Sequence, residues 1–191
     1  MSPCPSVVVA GGIGSGKSTV MGVLAEFGWS VINADQVGHE VLLEPPVIGA
    51  VAARWPLAAV GGGVHRSTLA SIVFSDPEQL SVLEAITHPR IVGRINERVN
   101  NLPKPLAIEV SVLKVATPSW GPLVVVHAPL TVRKERALER GMKAADVVAR
   151  MAVQPSDSEL LGAADLVIDN QGTVEELTEA VRRLDKWARS E

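Results

Sequence analysis

The sequence predicts an α/β fold in which five parallel strands form a sheet flanked by helices. Five apolar runs of strand length recur along the chain, at residues 6–10, 30–33, 105–110, 122–128 and 165–169. The segments between them are long enough for crossover helices, and strands that alternate with helices form parallel sheets that are covered on both faces. The last two runs are apolar without alternation, which is typical of strands buried on both faces.

A glycine-rich segment, GGIGSGKST, follows the first run at residues 11–19. Its spacing, G-x-x-x-x-G-K-[ST] between a strand and a helix, is typical of a loop that binds nucleotide phosphates and predicts a P-loop NTPase fold. Glycines let backbone N–H groups face phosphate oxygens, and the start of the helix adds positive potential. A glycine turn without a ligand is disfavoured because strand, spacing, lysine and hydroxyl coincide. The predicted ATP-binding residues of this segment are Gly12, Gly14, Ser15, Gly16, Lys17, Ser18 and Thr19.

Composition limits the possible classes of protein. The chain has 191 residues, enough for one core with a small insertion, and its formal net charge of −3 argues against nucleic acid as the main partner. No run reaches the roughly 18 apolar residues that a membrane span needs, and no basic region precedes the first apolar run. Cys4 is the single cysteine, so no internal disulfide can form. We expect a soluble cytoplasmic protein, a monomer by default, with no membrane partner.

The second and third runs are separated by about 70 residues, far more than one crossover requires. Pro45–Pro46 and Gly61–Gly63 interrupt this gap, and helical patterns near 67–74 and 77–100 fill it. We predict a helical insertion over about residues 36–101. In a phosphotransferase such an insertion commonly holds the acceptor, and a purely structural elaboration is the alternative.

Two acidic positions follow predicted strands. Asp35, in the sequence Asn33-Ala34-Asp35, can accept the proton of an attacking hydroxyl, because ligands of open parallel sheets gather beyond the carboxyl ends of the strands. The structural alternative is that Asp35 caps a helix. Glu109 ends the third run and is placed either to hold Mg²⁺ through water or to pair with a nearby cation.

Residues 133–155 predict two short helices hinged at Gly141, an arrangement that resembles a lid closing over phosphates. Arginines suit that role because they stay ionised and offer forked donors to phosphate oxygens. Arg140, at the end of the first helix, is the favoured phosphate-binding residue. A solvated helix face is expected for three other basic residues of this segment: Arg133, Lys134 and Lys143.

Two further features are interpreted structurally from the residues alone. His88-Pro89 lies between two helical patterns, where a satisfied polar group or a helix cap is favoured over a ligand. The last helical pattern begins with a capping-box pair, Thr173 and Glu176, and its apolar stripe ends at Trp187. We interpret this stripe as core packing.

Together these segments resemble the dephospho-coenzyme A kinase family over almost the whole chain. The phosphate loop is unspecific, but three further patterns are specific in combination: H-P at 88–89, R-x-x-x-R-G at 136–141 and A-D-L-V-I-D-N-x-G at 164–172. The run from Arg66 to Phe74 also resembles the acceptor domain of the family. The resemblance implies ATP- and Mg²⁺-dependent phosphorylation of the ribose 3′-hydroxyl of dephospho-coenzyme A.

The resemblance also implies roles for individual residues. Lys17 and the loop hold ATP, Asp35 acts as the base, and Arg140 acts on the transferring phosphoryl group. The loop motif itself places the Ser18 hydroxyl to bind Mg²⁺, and Ser18 and Glu109 are the predicted metal residues. Asn170 and Gly172 lie beside the adenine, and the substrate-binding residues are Asn33, Arg66, His88 and Pro89.

The same resemblance divides the chain into three parts. Residues 1–35, 102–132 and 156–191 form the nucleotide-binding core. Residues 36–101 form the acceptor domain, and residues 133–155 form the lid.

Three departures from the family pattern keep other functions open. Asn33 replaces the first acid of a D-x-D element. The family pattern P-L-L-x-E appears here as Ser111-Val112-Leu113-Lys114, which leaves Glu109 as the only nearby acid. The usual basic residues after the lid are replaced by Ser156–Glu159. A protein that binds nucleotide or coenzyme A without transferring phosphate is therefore one alternative, and another small-molecule kinase is a second. A GTP switch is disfavoured because no Asn-Lys-x-Asp run occurs.

Overall fold

The computed structural model describes residues 6–189, apart from the side chain of Val153, so the expectation for Cys4 lies outside the described residues. The described chain divides into two compact units. The first comprises residues 6–33 and 98–189, and the second is Ala34–Glu97. Among residues 6–189, no helix combines the length and the apolar character needed to cross a membrane.

Within residues 6–189 the strands form one sheet of five and one hairpin. In chain order the strands are β1 (Ser6–Ala10), β2 (Ser30–Asn33), β3 (Ala59–Val60), β4 (Gly63–Val64), β5 (Leu106–Glu109), β6 (Leu123–His127) and β7 (Leu166–Asp169). The five-stranded sheet is parallel throughout, with the order β2-β5-β1-β6-β7, and its strands lie on the five predicted apolar runs. The predicted α/β class is confirmed.

α-Helices connect most successive strands of the sheet and make up most of the second unit. In chain order the helices are α1 (Lys17–Glu26), α2 (Ala34–Val41), α3 (Pro45–Arg54), α4 (Arg66–Val73), α5 (Pro77–Asn101), α6 (Leu130–Glu139), α7 (Ala144–Val153), α8 (Asp157–Ala163) and α9 (Val174–Arg189). β5 and β6 are joined without an α-helix, by a segment with two single 3-10 turns. The two helices predicted on either side of Gly141 are present as α6 and α7, and an additional short helix, α8, follows them.

The core of the first unit is built on β1, whose five residues are all buried. Val7 and Val9 belong to a cluster that also contains Leu24 of α1 and Leu184 of α9. Burying a side chain of this size contributes about 1.5–3 kcal/mol, so this cluster holds the two helices against the sheet. Trp187 packs at its edge, which confirms the structural interpretation of the last apolar stripe.

The start of α9 is stabilised by the predicted capping box. The Glu176 N–H donates to Thr173 Oγ1 at 3.3 Å, and the Thr173 N–H donates to Glu176 Oε2 at 2.8 Å. These two bonds satisfy backbone donors that the first turn of a helix leaves unpaired. The local sequence therefore determines where α9 begins.

The register of the sheet brings several polar residues to one edge. Asn33 at the end of β2 pairs with Glu109 at the end of β5, and His127 at the end of β6 pairs with Asp169 at the end of β7. Since all five strands are parallel, their carboxyl ends and the loop that follows β1 emerge at the same edge. Ligands of open α/β sheets bind at this edge.

The second unit contains a hairpin that the sequence interpretation missed. β3 and β4 are antiparallel, and the turn between them uses Gly61 at φ +66° and Gly62 at φ +79°. The backbone conformation of both glycines is one that other residues rarely adopt. Strands of two residues are too short to show alternation, so the glycines indicated only an interruption.

The interpretation of His88-Pro89 as a junction between helices is wrong. α5 continues through Pro89, although a proline inside a helix removes one backbone hydrogen bond. Ile91 and Ile95, on the turns that follow, are buried. We attribute the continuity of α5 to this packing, which offsets the lost bond.

An ion-pair cluster links α5 to the start of α3. The Glu44 carboxylate accepts from Arg90 and from Arg94, each at 2.9 Å. The hydrogen bond from Arg94, together with that from Arg90, lowers the pKa of Glu44 below its ordinary value of 4.5. Because the lowered pKa belongs to the folded state, the pair stabilises the fold above about pH 4.5 and the gain disappears as the pH falls through the folded value.

We predict that Glu44→Gln lowers the free energy of unfolding more at pH 7 than at pH 3. Urea unfolding of wild type and variant at the two pH values measures this, with Glu135→Gln as a control that removes an exposed charge from α6. An equal loss at both pH values would show that the lowered pKa of Glu44 does not contribute to stability.

Candidate active site

The glycine-rich segment has the local structure that its motif predicts. β1 ends at Ala10, α1 begins at Lys17, and residues 11–16 form the loop between them. Gly14 at φ +76° and Gly16 at φ +101° adopt left-handed backbone conformations, and Gly16 is the residue that precedes α1. The loop therefore depends on glycine for its curvature and leads directly into the positive end of a helix.

Lys17 is folded into this loop. Its side chain is 9 % exposed, and Nζ donates to the carbonyl oxygens of Gly11 at 2.7 Å and Gly12 at 3.2 Å. The ammonium group is thus held among backbone atoms of the loop, where its charge is little screened. Ser18, the next residue, is exposed at the start of α1.

Ser15 is buried in the loop with an unsatisfied hydroxyl. Within residues 6–189 its Oγ has no hydrogen-bond partner, although a buried polar atom normally has one. The Ser15 carbonyl, by contrast, accepts from Asn170 Nδ2 at 2.7 Å. An anionic oxygen bound in the loop would give the hydroxyl its missing partner, so the loop fits a phosphate group.

Asn170 supports the loop from β7. Besides the bond to Ser15, its N–H donates to the His127 carbonyl at 2.7 Å, and its own carbonyl accepts from Arg136 at 3.0 Å. A Cβ on Gly16 would meet the Asn170 side chain, and a Cβ on Gly172 would meet the Glu176 carboxylate. The Asn170 side chain therefore contacts the loop. Its predicted position beside the adenine of ATP stays a prediction, and so does the same position predicted for Gly172.

Arg133 is not on a solvated helix face, and that expectation is wrong. The residue is 6 % exposed, Nε donates to the Ala128 carbonyl at 2.9 Å, and Nη2 donates to Asp157 at 2.6 Å. Its Nη1 occupies the space that a Cβ on Gly12 would need. α6 begins soon after β6, so its first turn packs beside the loop, and Asp157 compensates the buried charge. Lys134 and Lys143 are exposed, as expected.

The predicted lid segment contacts the loop through a residue that sequence reasoning did not single out as a site residue. Gln154, which follows α7, accepts a hydrogen bond from the Ile13 N–H at 2.8 Å. Arg140 follows the end of α6 and is exposed, and Gly141 beyond it adopts φ +82°. The lid of the family also has an R-x-x-x-Q pattern, which Arg150 and Gln154 match, and this resemblance is the one sequence signal that points to Gln154.

Two polar side chains meet at the ends of neighbouring strands. Asn33 Nδ2 donates to Glu109 Oε2 at 2.9 Å. Within residues 6–189 no group of three or more His, Cys, Asp or Glu side chains is arranged to hold a metal ion. Mg²⁺ usually takes one or two protein ligands together with phosphate oxygens and waters, so Ser18 and Glu109 are a donor set that fits it.

The remaining predicted residues belong to the second unit. Asp35 is exposed and lies inside the first turn of α2, not at the residue that precedes the helix. Arg66, at the start of α4, donates from Nη2 to His39 Nε2. His88 is half-buried and Pro89 exposed within α5. These positions do not test the roles predicted for the four residues.

His127 is a further residue of this edge that the sequence interpretation missed. Its ring nitrogens lie 3.9 Å from Asp157 and 3.7 Å from Asp169. Both carboxylates come from distant segments of the chain, so no local pattern could have indicated the cluster.

Comparisons with known proteins identify the family. The profile described as dephospho-CoA kinase matches residues 6–176. A dephospho-CoA kinase from Frankia casuarinae is 39 % identical over 90 % of this chain and 78 % of its own length, and one from Deinococcus radiodurans is 36 % identical over 96 % and 98 %. A crystal structure of TT1252 from Thermus thermophilus, 31 % identical, superposes with a TM-score of 0.84 over 97 % of this chain and 98 % of its own.

These matches cover the phosphate loop, the helical unit and the lid segment together, as the predicted resemblance requires. Kinases of this family are ATP-dependent transferases. The chain belongs to the dephospho-CoA kinase family.

Proposed function

We propose that this protein transfers the γ-phosphate of ATP to the ribose 3′-hydroxyl of dephospho-coenzyme A. The observation that carries the proposal is the loop at residues 11–16, in which Lys17 is held among backbone carbonyls and a buried hydroxyl lacks a partner, in a chain of the dephospho-CoA kinase family. A cytoplasmic monomer without a nucleic-acid partner is part of the same proposal.

The loop residues bind the phosphates of ATP in this proposal. The N–H groups of Ile13 and Ser15 already donate to Gln154 and to the Gly12 carbonyl, so the other backbone N–H groups of the loop and the start of α1 supply donors and positive potential. The Ser15 hydroxyl gains its partner there. Lys17 exchanges its bonds to the loop carbonyls for the β- and γ-phosphate oxygens. Thr19, Asn170 and Gly172 complete the set of nucleotide-binding residues that the family pattern implies.

Ser18 and Glu109 are the residues proposed to hold Mg²⁺. Bound there, the ion neutralises charge that develops on the phosphates during transfer. Glu109 is oriented by the bond from Asn33, whose amide cannot take up a proton but can donate to the carboxylate. The missing acid of the D-x-D element is therefore compatible with metal binding through the acid that remains.

The transfer itself is assigned to Asp35 and Arg140. Asp35 accepts the proton of the attacking hydroxyl, and Arg140 stabilises the charge on the transferring phosphoryl group. Arg140 follows an α6 helix that ends before a left-handed glycine, so its position is suited to a residue that moves with a lid. Asn33, at the end of β2, is proposed to contact the acceptor. Arg66, His88 and Pro89 are proposed to do so from the helical unit, which serves as the acceptor domain.

One other function is favoured by a specific observation. A protein that binds nucleotide without transfer would explain why Asn33 stands where the family pattern has an acid, and why the segment that ends at Lys114 lacks the acid of P-L-L-x-E. The presence of Lys17, Asp35 and Arg140 argues for transfer. Turnover decides between the two.

We expect the purified protein to form ADP and 3′-phosphorylated coenzyme A from ATP, Mg²⁺ and dephospho-coenzyme A. Mass spectrometry of the products identifies the acceptor position, and shikimate, gluconate and nucleoside monophosphates serve as competing acceptors. Binding of ATP with no turnover of any acceptor would contradict the proposal and support the non-transferring alternative.

Replacing the proposed base should slow the chemical step without weakening nucleotide binding. We expect Asp35→Ala to lower kcat by roughly 10²–10⁴-fold and to leave the Kd for ATP unchanged, because a general base contributes in the transition state. Steady-state kinetics and calorimetry measure the two quantities, with Glu78→Gln as a control on an exposed turn of α5. Unchanged kcat in Asp35→Ala would remove this residue from the mechanism.

The metal proposal predicts opposite effects at two paired residues. Asn33→Asp adds a carboxylate beside Glu109 and should lower the Mg²⁺ concentration that gives half-maximal rate severalfold, whereas Glu109→Gln should raise it. A Mg²⁺ titration at saturating ATP and acceptor measures both. If neither variant altered the Mg²⁺ dependence, this edge of the sheet would not be the metal site.

A further inference from the structure

A buried charge outside the residues assigned to the reaction, that of Arg133, lies directly against the phosphate loop. We propose that Arg133 is a positioning residue that holds the phosphate loop from outside and raises its affinity for phosphate, and that Asp157 attenuates this charge. The inference rests on the proposed binding of ATP at the loop. The ligands whose binding Arg133 would strengthen are the phosphate groups of a nucleotide.

The guanidinium group reaches three separate segments. Nε donates to the carbonyl of Ala128, between β6 and α6, and Nη2 donates to Asp157 at the start of α8. Nη1 lies against Gly12 of the loop. A planar group with fixed donor directions can join three segments only if all three keep their places, so Arg133 fixes the outer wall of the loop relative to the sheet.

The loop and Arg133 also constrain each other sterically. A Cβ on Gly12 would collide with Nη1, and a Cβ on Gly14 would collide with the Arg133 carbonyl group. The two glycines thus serve the packing of this arginine in addition to the curvature of the loop. Such close approach leaves little room for solvent between the guanidinium and the loop.

The charges of Arg133 and Asp157 are screened by water to different degrees, because the two side chains are buried to different degrees. The Arg133 side chain is 8 % exposed, whereas that of Asp157 is 36 % exposed. Water screens the carboxylate more than the guanidinium, so a positive potential remains at the loop. The imidazole of His127 also lies near Asp157, with Nε2 at 3.9 Å from Oδ2, and Glu159 is in the same first turn of α8.

Removing either member of the pair should therefore shift ATP affinity in opposite directions. Asp157→Asn keeps an oxygen that accepts from Nη2 but removes the negative charge, so the Kd for ATP should fall severalfold. Arg133→Gln removes the cation and leaves Asp157, so the Kd should rise about tenfold, as expected for one poorly screened charge near a phosphate. Titration calorimetry with ATP and ADP at one fixed pH measures both changes.

Two controls separate charge from structure. Adenosine, which has no phosphate, should bind wild type and both variants equally. Glu179→Gln removes an equivalent charge from an exposed position of α9 and should leave ATP binding unchanged. Thermal unfolding tests whether Arg133→Gln is folded. If Arg133→Gln does not fold, the ATP affinity of Asp157→Asn alone tests the proposal. That variant should fold, because residue 157 is partly exposed and its asparagine keeps the oxygen that accepts from Arg133.

The outcomes are distinct. Tighter ATP binding by Asp157→Asn with unchanged adenosine binding supports the proposal. Weaker binding by both variants, or no change in Asp157→Asn, would overturn it and leave the pair a structural one. Failure of the wild type to bind ATP would overturn the proposed function together with this inference, whereas wild-type binding without a response to Asp157→Asn would overturn the inference alone.

Discussion

The arrangement of the candidate site depends on a loop that must be curved around an anion on one side and supported on the other. A backbone that directs its N–H groups inward has few internal hydrogen bonds of its own, so neighbouring elements have to hold its shape. Here the support comes from Asn170 after β7, Gln154 after α7 and Arg133 in α6, which contact Ser15, Ile13 and Gly12. Three segments that are distant from the loop in sequence thus support its backbone. All three can reach the loop because β1, which precedes it, is the central strand of the sheet.

This dependence gives the departures from the family pattern a physical meaning. The segment after the predicted lid carries Ser156–Glu159 in place of basic residues, which by itself suggests a weaker phosphate site. In the structure Ser156 and Glu159 form a capping box for α8, and Asp157 binds a buried arginine. The segment has therefore become a helix start and the acceptor of an ion pair, and a cation beside the loop is supplied by α6.

Local pattern was enough to predict the elements and the motif, because both depend on near neighbours in the chain. The apolar runs became the five strands, and the spacing from Gly11 to Ser18 predicted a strand, a loop and a helix in the right places. Arg133 could not be predicted this way. Arg133, Arg136 and Arg140 are spaced three and four residues apart, and this spacing is the same whether their helix face meets water or another segment. Here tertiary packing determines that Arg133 is buried. The continuity of α5 through Pro89 has the same cause, since buried Ile91 and Ile95 lie beyond the proline.

Asn33 shows how far the site can depart from the family pattern and still perform the proposed chemistry. Two carboxylates at neighbouring strand ends repel each other unless a metal ion or a proton lies between them. An asparagine removes that repulsion and adds a donor, so the Glu109 carboxylate is oriented by a hydrogen bond of 2.9 Å from its neighbour. With Asn33 in place of an acid, the site attracts Mg²⁺ less strongly, but the remaining acid, Glu109, is better preorganised. The site should therefore bind its metal more weakly than one with two acids while keeping its geometry, and geometry is what phosphoryl transfer chiefly requires of the protein.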